Sequence, residues 1–479
     1  MKRIQILKRH IQAVKVKEEV KDTLTVLDNR TGVKYELPIR ENMISAKNLS
    51  TVKDSKGNIT KYIDPGYLNT VSGHTRVSFV DGEQGILEYR GYSIKELAEK
   101  STFIEVAYLL IYEDLPTIQQ LEEFSKKIMN HSSLPIELRN IMSCFKNDAH
   151  PMGMFISAMS GLSTFHPEAN PALAGQSCYD DPYKRDKHIS NILGISPTIS
   201  AAAYRHKNQK EFNNPRDGGY IENFFYMLHH EKGTDYQPHP VLVKALDVMF
   251  ILHAEHGFSC SAAAVRHLAS ANTDVYNCIA GGAAALYGTL HGGANEAVLR
   301  MLMKIGSKAN VPAFIEKVKN KEEKLMGFGH RMYKCYEIRP KIVKTIALKV
   351  FEVCGREELF DVALEIEQIA LKDPYFIKRR LFPNIDLFSG VVYKAMGFPP
   401  EFCPVLFAMP RLVSWLAHWS EFLDDPNRKI TRPQQVYTGH RNRKYVPQCD
   451  IKAQVKIDLE VPNTITEAQI EPSDRYMNP

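Results

Sequence analysis

The sequence predicts a mainly α-helical fold with short β-hairpins near the N-terminus. From Ser93 onward, segments with helical apolar spacing alternate with Pro and Gly, which end helices. Before that point, short apolar runs flank turn residues, as they do in hairpins. The sequence contains no internal repeat of solenoid length and no low-complexity segment, so we expect a globular protein.

Two hairpins are predicted first. Residues 23–26 and 33–37 flank the turn sequence DNRTG, and residues 77–80 and 86–89 flank DGEQG. Helices are then predicted over residues 94–99, 103–112, 118–129, 136–144 and 152–163.

The central stretch of the chain, residues 272–306, predicts two helices that meet at His291. The first is predicted to be capped near Thr273 or Asp274, and the second to end at Gly306. Gly292 and Gly293 interrupt the helical pattern between them. His291 is therefore expected in a helix junction, beside glycines that leave room for a ligand.

Composition excludes several classes of protein. Of the 479 residues, 44% are apolar and 24% are charged. The sequence contains no uninterrupted run of eighteen apolar residues, the length that a membrane-spanning helix needs. The most apolar stretch, residues 241–252, carries Lys244 and Asp247 and is predicted to be a core helix. The net charge of +6 is mild and spread along the chain, which favours small anionic ligands and argues against nucleic acid.

The cysteines are scattered without CxxC pairs, and no secretory signal precedes them. This pattern predicts a reducing intracellular compartment. They are Cys144, Cys178, Cys260, Cys278, Cys335, Cys354, Cys403 and Cys449.

The first twenty residues are interpreted as a targeting segment. Arg3 and Ile4, followed after five residues by His10 and Ile11, resemble a type-2 peroxisomal signal, although Ile is an unusual last residue. The basic residues without acids also suit a mitochondrial presequence, and a fraying terminus of a cytoplasmic protein is a further alternative. A peroxisomal location is the preferred prediction.

Several polar residues stand beside glycines or within apolar runs, and each has a structural alternative. His253 and His256 could bind a metal, but the sequence offers no third ligand at a diagnostic spacing, so no metal site is expected. His291 could be a satisfied core histidine, and the sequence GFGHR could be a tight turn that lacks the dinucleotide spacing. Asp386 could cap a helix.

Arg411 is harder to explain as a structural residue. It lies inside the apolar run 406–419, where a buried guanidinium needs an anionic partner.

The combination of these stretches resembles citrate synthase from residue 65 to residue 447. The stretches that carry the resemblance are DPGYLNT, DGEQGILEYRGY, FILHAEH, LYGTLHGGANEAVLRML, GFGHRMYK, FPNIDLFSGVVYKAMGFPPEF and RPQQVYTG. The sequences DAHPMG and FHPEANPAL are similar to those of the plant-type peroxisomal branch of this family, which agrees with the N-terminal signal.

The resemblance implies a two-domain helical fold. The large domain would comprise residues 21–292 and 398–447, and the small domain residues 293–397. Residues 1–20 would be the targeting segment, and the tail 448–479 would be poorly ordered or an oligomer arm.

The resemblance also implies the reaction and the residues that perform it. Acetyl-CoA would condense with oxaloacetate, with Asp386 as the base, His291 as the donor to the thioester oxygen and His330 as the acid that polarises the oxaloacetate carbonyl. No cofactor is implied, because the coenzyme A thioester is a substrate.

Binding residues follow from the same resemblance. The oxaloacetate carboxylates would be bound by His256, Arg339, Arg411 and Arg432, since arginine forks suit carboxylates. The neighbouring subunit would contribute Arg432, which implies a homodimer. Lys334 and Arg379 are candidates for the CoA phosphates, and a solvated basic face over residues 378–380 explains Arg379 about as well.

The sequence departs from the family pattern near the predicted site. Glu337 and Ile338 replace Asp and Pro before Arg339, and the lost proline is expected to loosen the turn that aims this arginine. Gly257 and Ser259 replace Glu and Asn after His256. Met332 and Cys335 are further replacements, for Val and Asn.

Three other functions stay open at this point. A 2-methylcitrate synthase would use propionyl-CoA, and one methylene in an apolar pocket is worth only about 1–3 kcal/mol. A non-catalytic structural homologue would not need His291, His330 and Asp386 together. A metal-binding module would use His253 and His256.

Overall fold

The computed structural model describes residues 22–444 and is mainly α-helical, as predicted. It divides into two compact units, Met1–His74 and Thr75–Pro479. The targeting segment 1–20 and the tail 448–479 lie outside the described residues. The predicted division into domains at residues 292 and 397 stays a prediction.

The first unit contains the first predicted hairpin. Strands β1 (Thr23–Asp28) and β2 (Val33–Pro38) pair antiparallel, each slightly longer than predicted. The turn forms because the Asp28 carboxylate accepts a hydrogen bond from the Arg30 amide at 2.9 Å and Gly32 adopts a φ of +72°. A one-turn helix, α1 (Ala46–Leu49), follows.

The second unit begins with the second predicted hairpin. Strands β3 (Ser78–Asp81) and β4 (Ile86–Tyr89) pair antiparallel, and the short strand β5 (Tyr92–Ser93) extends the sheet. The described chain contains no strand beyond Ser93, in agreement with the sequence.

Eighteen α-helices follow the sheet within the described range. They are α2 (Ile94–Lys100), α3 (Phe103–Tyr112), α4 (Ile118–Met129), α5 (Ile136–Ser143), α6 (Pro151–Leu162), α7 (Pro171–Ala174), α8 (Pro182–Lys207), α9 (Tyr220–His229), α10 (Pro240–His253), α11 (Cys260–Ser270), α12 (Val275–Tyr287), α13 (Ala294–Ile305), α14 (Val311–Lys319), α15 (Arg339–Cys354), α16 (Leu359–Ala370), α17 (Pro374–Lys378), α18 (Asp386–Ala395) and α19 (Cys403–Asp424).

Local capping explains why several predicted bounds agree with the structure. Thr102 and Thr117 form capping boxes with Glu105 and Gln120, which fix the starts of α3 and α4 where the sequence placed them. The caps Asp274 and Gly306 likewise delimit α12 and α13 as predicted. These signals are local, and distant residues add to two of them: the Phe103 amide donates to Asp247 at 2.9 Å, and the Val275 amide donates to the Tyr179 hydroxyl at 3.0 Å.

The core of the second unit surrounds α8, α10 and α19, whose middle residues are almost all buried. Helix α10 is a core helix as predicted, since its residues from Ala245 to His253 are buried. Within residues 22–444, each helix is too short or too polar to cross a membrane. The seven described cysteines are free thiols.

Candidate active site

His291 lies in the turn between α12 and α13. The turn folds back so tightly that the Gly293 amide donates to the carbonyl oxygen of Leu286 at 3.0 Å. A Cβ on Gly292 would lie 2.5 Å from the Leu286 side chain. The two glycines thus make room for the backbone and the Leu286 side chain, and room for a ligand beside them stays a prediction.

The start of α11 sets the tautomer of His291. The backbone amide of Ser261 donates to His291 Nε2 at 3.4 Å, and the Ser261 hydroxyl lies 2.7 Å from the same nitrogen. Because Nε2 accepts, the ring proton is on Nδ1. Burial, with a smaller contribution from Arg411, lowers the pKa of His291 to about 4. His291 is therefore a neutral donor near pH 7.

A short antiparallel contact joins the loop before His330 to the segment before Asp386. The Gly329 amide donates to the Phe382 carbonyl at 2.8 Å, and the Asn384 amide donates to the Gly327 carbonyl at 2.9 Å. Gly327 and Gly329 both have a φ of +79°, which glycine adopts readily. The loop that carries His330 thus runs beside the residues that lead into α18.

His330 is also held as a neutral donor. Its Nδ1 accepts from the backbone amides of Met332 at 3.0 Å and Tyr333 at 3.4 Å, so the proton is on Nε2. Burial lowers the pKa of His330 to about 3, and the positive charges of Arg339 and Lys334 add to this effect.

His256 packs against the same loop. Its ring centroid lies 4.8 Å from that of His330, and its Nε2 lies 3.1 Å from the Tyr333 hydroxyl. Burial and the nearby Arg339 hold the pKa of His256 well below its ordinary value. The sequence did not single out Tyr333, although it stands inside the GFGHRMYK stretch.

Asp386 is the first residue of α18. It was considered as the helix cap, and that interpretation was wrong: Ile385 is the residue before the helix, and the Asn384 side chain accepts from the Asp386 amide at 3.1 Å. The Asp386 carboxyl is buried, and its Oδ1 has no hydrogen-bond partner among the described residues. Burial raises the pKa of Asp386 to about 7, and the Glu337 charge adds to the rise while Arg339 and Arg411 oppose it.

Arg339 begins α15 and is anchored by Glu337. Its Nε and Nη2 donate to Glu337 Oε2 at 2.9 and 2.7 Å, and both side chains are buried. The loss of proline was expected to loosen this turn. The buried ion pair with Glu337 fixes the guanidinium by another means.

Arg411 is buried in α19, at 1% exposure. Its Nε donates to the His253 carbonyl at 2.7 Å, and its guanidinium lies 4.9 Å from the Phe407 ring centroid. Burial lowers the pKa of Arg411 to about 10, which leaves it cationic at pH 7. Its buried positive charge suits an anionic ligand.

Three predicted binding residues lie at the surface. Arg432 is exposed in a segment without regular structure that follows α19. Lys334 is exposed, and its Nζ donates to the Arg331 carbonyl at 3.2 Å. Arg379 donates to the Tyr375 carbonyl at 2.9 Å and stacks on the ring of that residue.

A buried charge network supports the site and was missed by the sequence. The Glu255 carboxylate accepts from the Ser78 hydroxyl at 2.8 Å and lies 3.1 Å from His418 Nε2. The main chain of Glu255 is bonded to the Tyr89 hydroxyl. Glu255 directly precedes His256, so this network holds the main chain beside a predicted oxaloacetate-binding residue.

His253 and His256, which were considered as metal ligands, belong to no group of three or more possible ligands in the described chain. His253 Nδ1 instead lies 2.8 Å from the Met249 carbonyl. His166, Glu168 and His188 are the one described group that could hold a metal. The Glu168 carboxylate already accepts from Lys187 at 2.8 Å, and His166 Nε2 lies 2.7 Å from the Asn191 side-chain amide. Two of the three groups therefore have protein partners.

Comparison with known proteins identifies the family. The family model described as "Citrate synthase, C-terminal domain" matches residues 66–434. The chain belongs to the citrate synthase family. It is therefore an enzyme of transferase type with citrate synthase activity, as the motif combination predicted.

Relatives of known activity agree with this assignment. A citrate synthase of Dictyostelium discoideum is 52% identical over 431 residues, which cover 90% of this chain and 84% of that protein. A peroxisomal citrate synthase of the same organism is 50% identical over 458 residues, which cover 93% of each chain.

A solved structure confirms the citrate synthase fold. Citrate synthase from Thermoplasma acidophilum, in a ternary complex with carboxymethyl coenzyme A and oxaloacetate, has a TM-score of 0.74 at 28% identity. The match covers 81% of this chain and 99% of that chain. The predicted fold class is therefore confirmed, and the predicted roles of individual residues stay predictions.

Proposed function

We propose that this chain condenses acetyl-CoA with oxaloacetate and water to give citrate and CoA, with Asp386 as the catalytic base. The observation that carries the proposal is the Asp386 carboxyl, which is buried with Oδ1 unpaired and has a pKa raised to about 7. A base of this strength ionises near the working pH and accepts a proton more readily than an exposed carboxylate.

In the first step, Asp386 removes a proton from the methyl group of acetyl-CoA. His291 donates its Nδ1 proton as a hydrogen bond to the thioester oxygen, where negative charge develops in the enol. Its lowered pKa supports this role, because a neutral imidazole stays a donor at pH 7 and its other nitrogen is occupied by Ser261.

In the second step, the enol carbon attacks the ketone carbon of oxaloacetate. His330 Nε2–H polarises that carbonyl and supplies the proton to the new alkoxide. Water then cleaves the citryl-CoA thioester and releases CoA as the thiol. The backbone amides that donate to His330 Nδ1 support the assignment of its proton to Nε2.

We assign oxaloacetate binding to Arg339, Arg411 and His256, with Arg432 of a second subunit completing the site. The buried guanidiniums of Arg339 and Arg411 match the two carboxylates of oxaloacetate. Arg432 is exposed on its own subunit, so its side chain is free to extend into the site of a neighbouring subunit. The oxaloacetate in the Thermoplasma acidophilum complex supports this substrate for the family. A homodimer is the minimum active unit in this proposal.

We assign the CoA phosphates to Lys334 and Arg379. Both are exposed cations, which can move onto a phosphate with little desolvation cost. The chemistry needs no cofactor and no metal, because acid, base and leaving group are all supplied by side chains and the thioester. Closure of the small domain, residues 293–397, over oxaloacetate would exclude water before the enol forms.

We propose a peroxisomal location. The name of the second Dictyostelium relative and the type-2-like residues Arg3, Ile4, His10 and Ile11 support it. Residues 1–20 fused to a fluorescent protein should concentrate in peroxisomes. A diffuse signal or a mitochondrial one would contradict the proposal.

The test of the reaction is thiol release by the purified chain. Acetyl-CoA and propionyl-CoA are each supplied with and without oxaloacetate. We expect release that depends on oxaloacetate and prefers acetyl-CoA. A preference for propionyl-CoA would make the chain a 2-methylcitrate synthase, and no release with either would favour the structural homologue.

The variant Asp386→Ala tests the base. Thiol release should fall by about 10³-fold or more, because proton abstraction has no other base. Oxaloacetate binding, measured by calorimetry, should be largely kept, since the arginines and His256 remain. Turnover close to that of the wild type would refute Asp386 as the base.

A further inference from the structure

Glu337 lies between two groups that the proposed function needs. Its Oε2 accepts from Nε and Nη2 of Arg339 at 2.9 and 2.7 Å. Its Oε1 accepts from the backbone amide of Ile385 at 3.0 Å, one residue before Asp386. One carboxylate thereby joins the start of α15 to the start of α18.

This carboxylate is almost completely inaccessible. Glu337 is 1% exposed and Arg339 is 2% exposed. A buried charge pair is tolerated when its hydrogen bonds are well made, and here one carboxylate receives three donors. Removal of either partner would leave the other charge buried without compensation.

The charges around Asp386 make Glu337 the acidic partner of this base. Arg339 and Arg411 favour the ionised Asp386, and Glu337 opposes them. Tyr393 and Cys403 also interact electrostatically with Asp386. Burial raises the pKa of both groups, so they are neutral near pH 7. Burial raises the pKa of Glu337, and its ion pair with Arg339 opposes that rise. The negative charge of Glu337 is therefore the group that opposes the two buried arginines at Asp386.

We propose that Glu337 is a positioning residue, which holds Arg339 and the start of the Asp386 helix in one fixed relation and supplies the negative charge that strengthens the base. This inference rests on the proposed roles of Arg339 and Asp386. Glu337 itself contacts no reacting atom. Its effect reaches the substrates through Arg339 and through the backbone at Ile385.

The variant Glu337→Gln tests this role, because it keeps the shape of the side chain and removes the charge. The acid limb of the kcat profile should move to lower pH by roughly one unit, since Asp386 loses its negative neighbour. The KM for oxaloacetate should rise about tenfold or more, because an amide offers Arg339 a weaker acceptor. The KM for acetyl-CoA should change less.

A matched control is Glu367→Gln. Glu367 is also buried and pairs with Lys344 at 2.8 Å, but no described contact joins it to Arg339 or Ile385. Both variants should lose thermal stability. Only Glu337→Gln should move the acid limb and the KM for oxaloacetate, so wild-type values of both in this variant would overturn the proposal.

Glu337→Asp is the second variant, should the amide variant fail to fold. The aspartate keeps the negative charge but is shorter by one methylene. The acid limb of the kcat profile should therefore stay near that of the wild type, while the KM for oxaloacetate rises. An unchanged KM would overturn the positioning role. Wild-type thiol release and its loss in Asp386→Ala test the proposed function separately, so the two failures are distinguishable.

Discussion

At the scale of single residues, burial selects the protonation state of each predicted catalytic group. The same desolvation that lowers the pKa of His291 to about 4 and of His330 to about 3 raises the pKa of Asp386 to about 7. Neutral forms are favoured in each case. The result is two neutral donors beside a carboxyl that ionises in the physiological range.

The pH dependence of the reaction follows from these values. The base must be ionised to act, so kcat/KM should fall tenfold per pH unit below about pH 7, where Asp386 is protonated. His291 and His330 should contribute nothing above pH 5, because they are already neutral there. Steady-state rates between pH 5.5 and 9 would check this, and a flat profile below pH 6.5 would contradict the expected pKa of Asp386.

At the scale of elements, a short contact between the GFGHR loop and the segment before α18 joins the segments that carry His330 and Asp386, two predicted catalytic residues. It consists of main-chain bonds between residues 327–329 and 382–384. Asn384 reinforces it, since its side chain donates to the Gly329 carbonyl at 3.0 Å. Displacement of either segment would separate His330 from Asp386.

Gly327→Ala tests this contact. A Cβ there would lie 3.1 Å from the Leu387 Cα, and the φ of +79° is unfavourable for alanine. We expect a loss of about 1–3 kcal/mol in stability and a fall in kcat of about tenfold or more. Gly233→Ala is the control, because its φ is +86° but no atom lies within 4 Å of the added Cβ. An equal fall in kcat in both variants would contradict the positional explanation.

At the scale of the whole molecule, the buried network around Glu255 and His418 connects the sheet to the core helix α19. Both side chains are fully buried, and His418 Nδ1 also lies 3.7 Å from Glu421. The neighbouring charges of His418 and Arg411 outweigh burial and lower the pKa of Glu255 to about 2. Burial disfavours the charged His418, yet the Glu255 and Glu421 charges raise its pKa above 6.5.

The sign of each shift predicts how this pair affects stability. The raised pKa of His418 stabilises the fold fully below pH 6.5, and this contribution is lost as pH rises through the folded value. The lowered pKa of Glu255 stabilises the fold above pH 4.5 and is lost as pH falls towards 2. The pair therefore stabilises most between these limits.

His418→Gln should cost about 3–5 kcal/mol near pH 6, because the Glu255 carboxylate would be buried without a cation. The deficit should shrink as pH rises and the wild-type histidine loses its proton. Urea unfolding at pH 6 and pH 9 measures both effects. His267→Gln, an exposed histidine, serves as the control, and an equal deficit at both pH values would refute the charged pair.

The proposed exchange of Arg432 between subunits gives a test of assembly. Arg432→Ala and Asp386→Ala should each be inactive alone. When equal amounts of the two variants are dissociated into subunits and reassociated together, about a quarter of wild-type activity should return if each site takes Arg432 from the other subunit. In a mixed dimer, one site receives both intact residues. No recovery, with mixed dimers demonstrated by mass spectrometry, would place Arg432 in its own subunit's site.

Much of the fold could be predicted because its signals are local. The capping residues Thr102, Thr117 and Asp274 and the terminal Gly306 fix helix ends through contacts with their own neighbours in the chain. Asp386 shows the limit of such signals. Its type and position suited a cap, but the residue before it already has helical backbone angles.

Local sequence patterns predicted the mainly helical fold, several helix ends, the family and the candidate catalytic residues, because motifs and capping depend on residues close together in the chain. The ion pair of Glu337 with Arg339, the pairing of Glu255 with His418 and the pKa of about 7 at Asp386 emerge only in the folded chain. The reason is physical: a pKa and an ion pair depend on burial and on charges from distant segments, which no local pattern records.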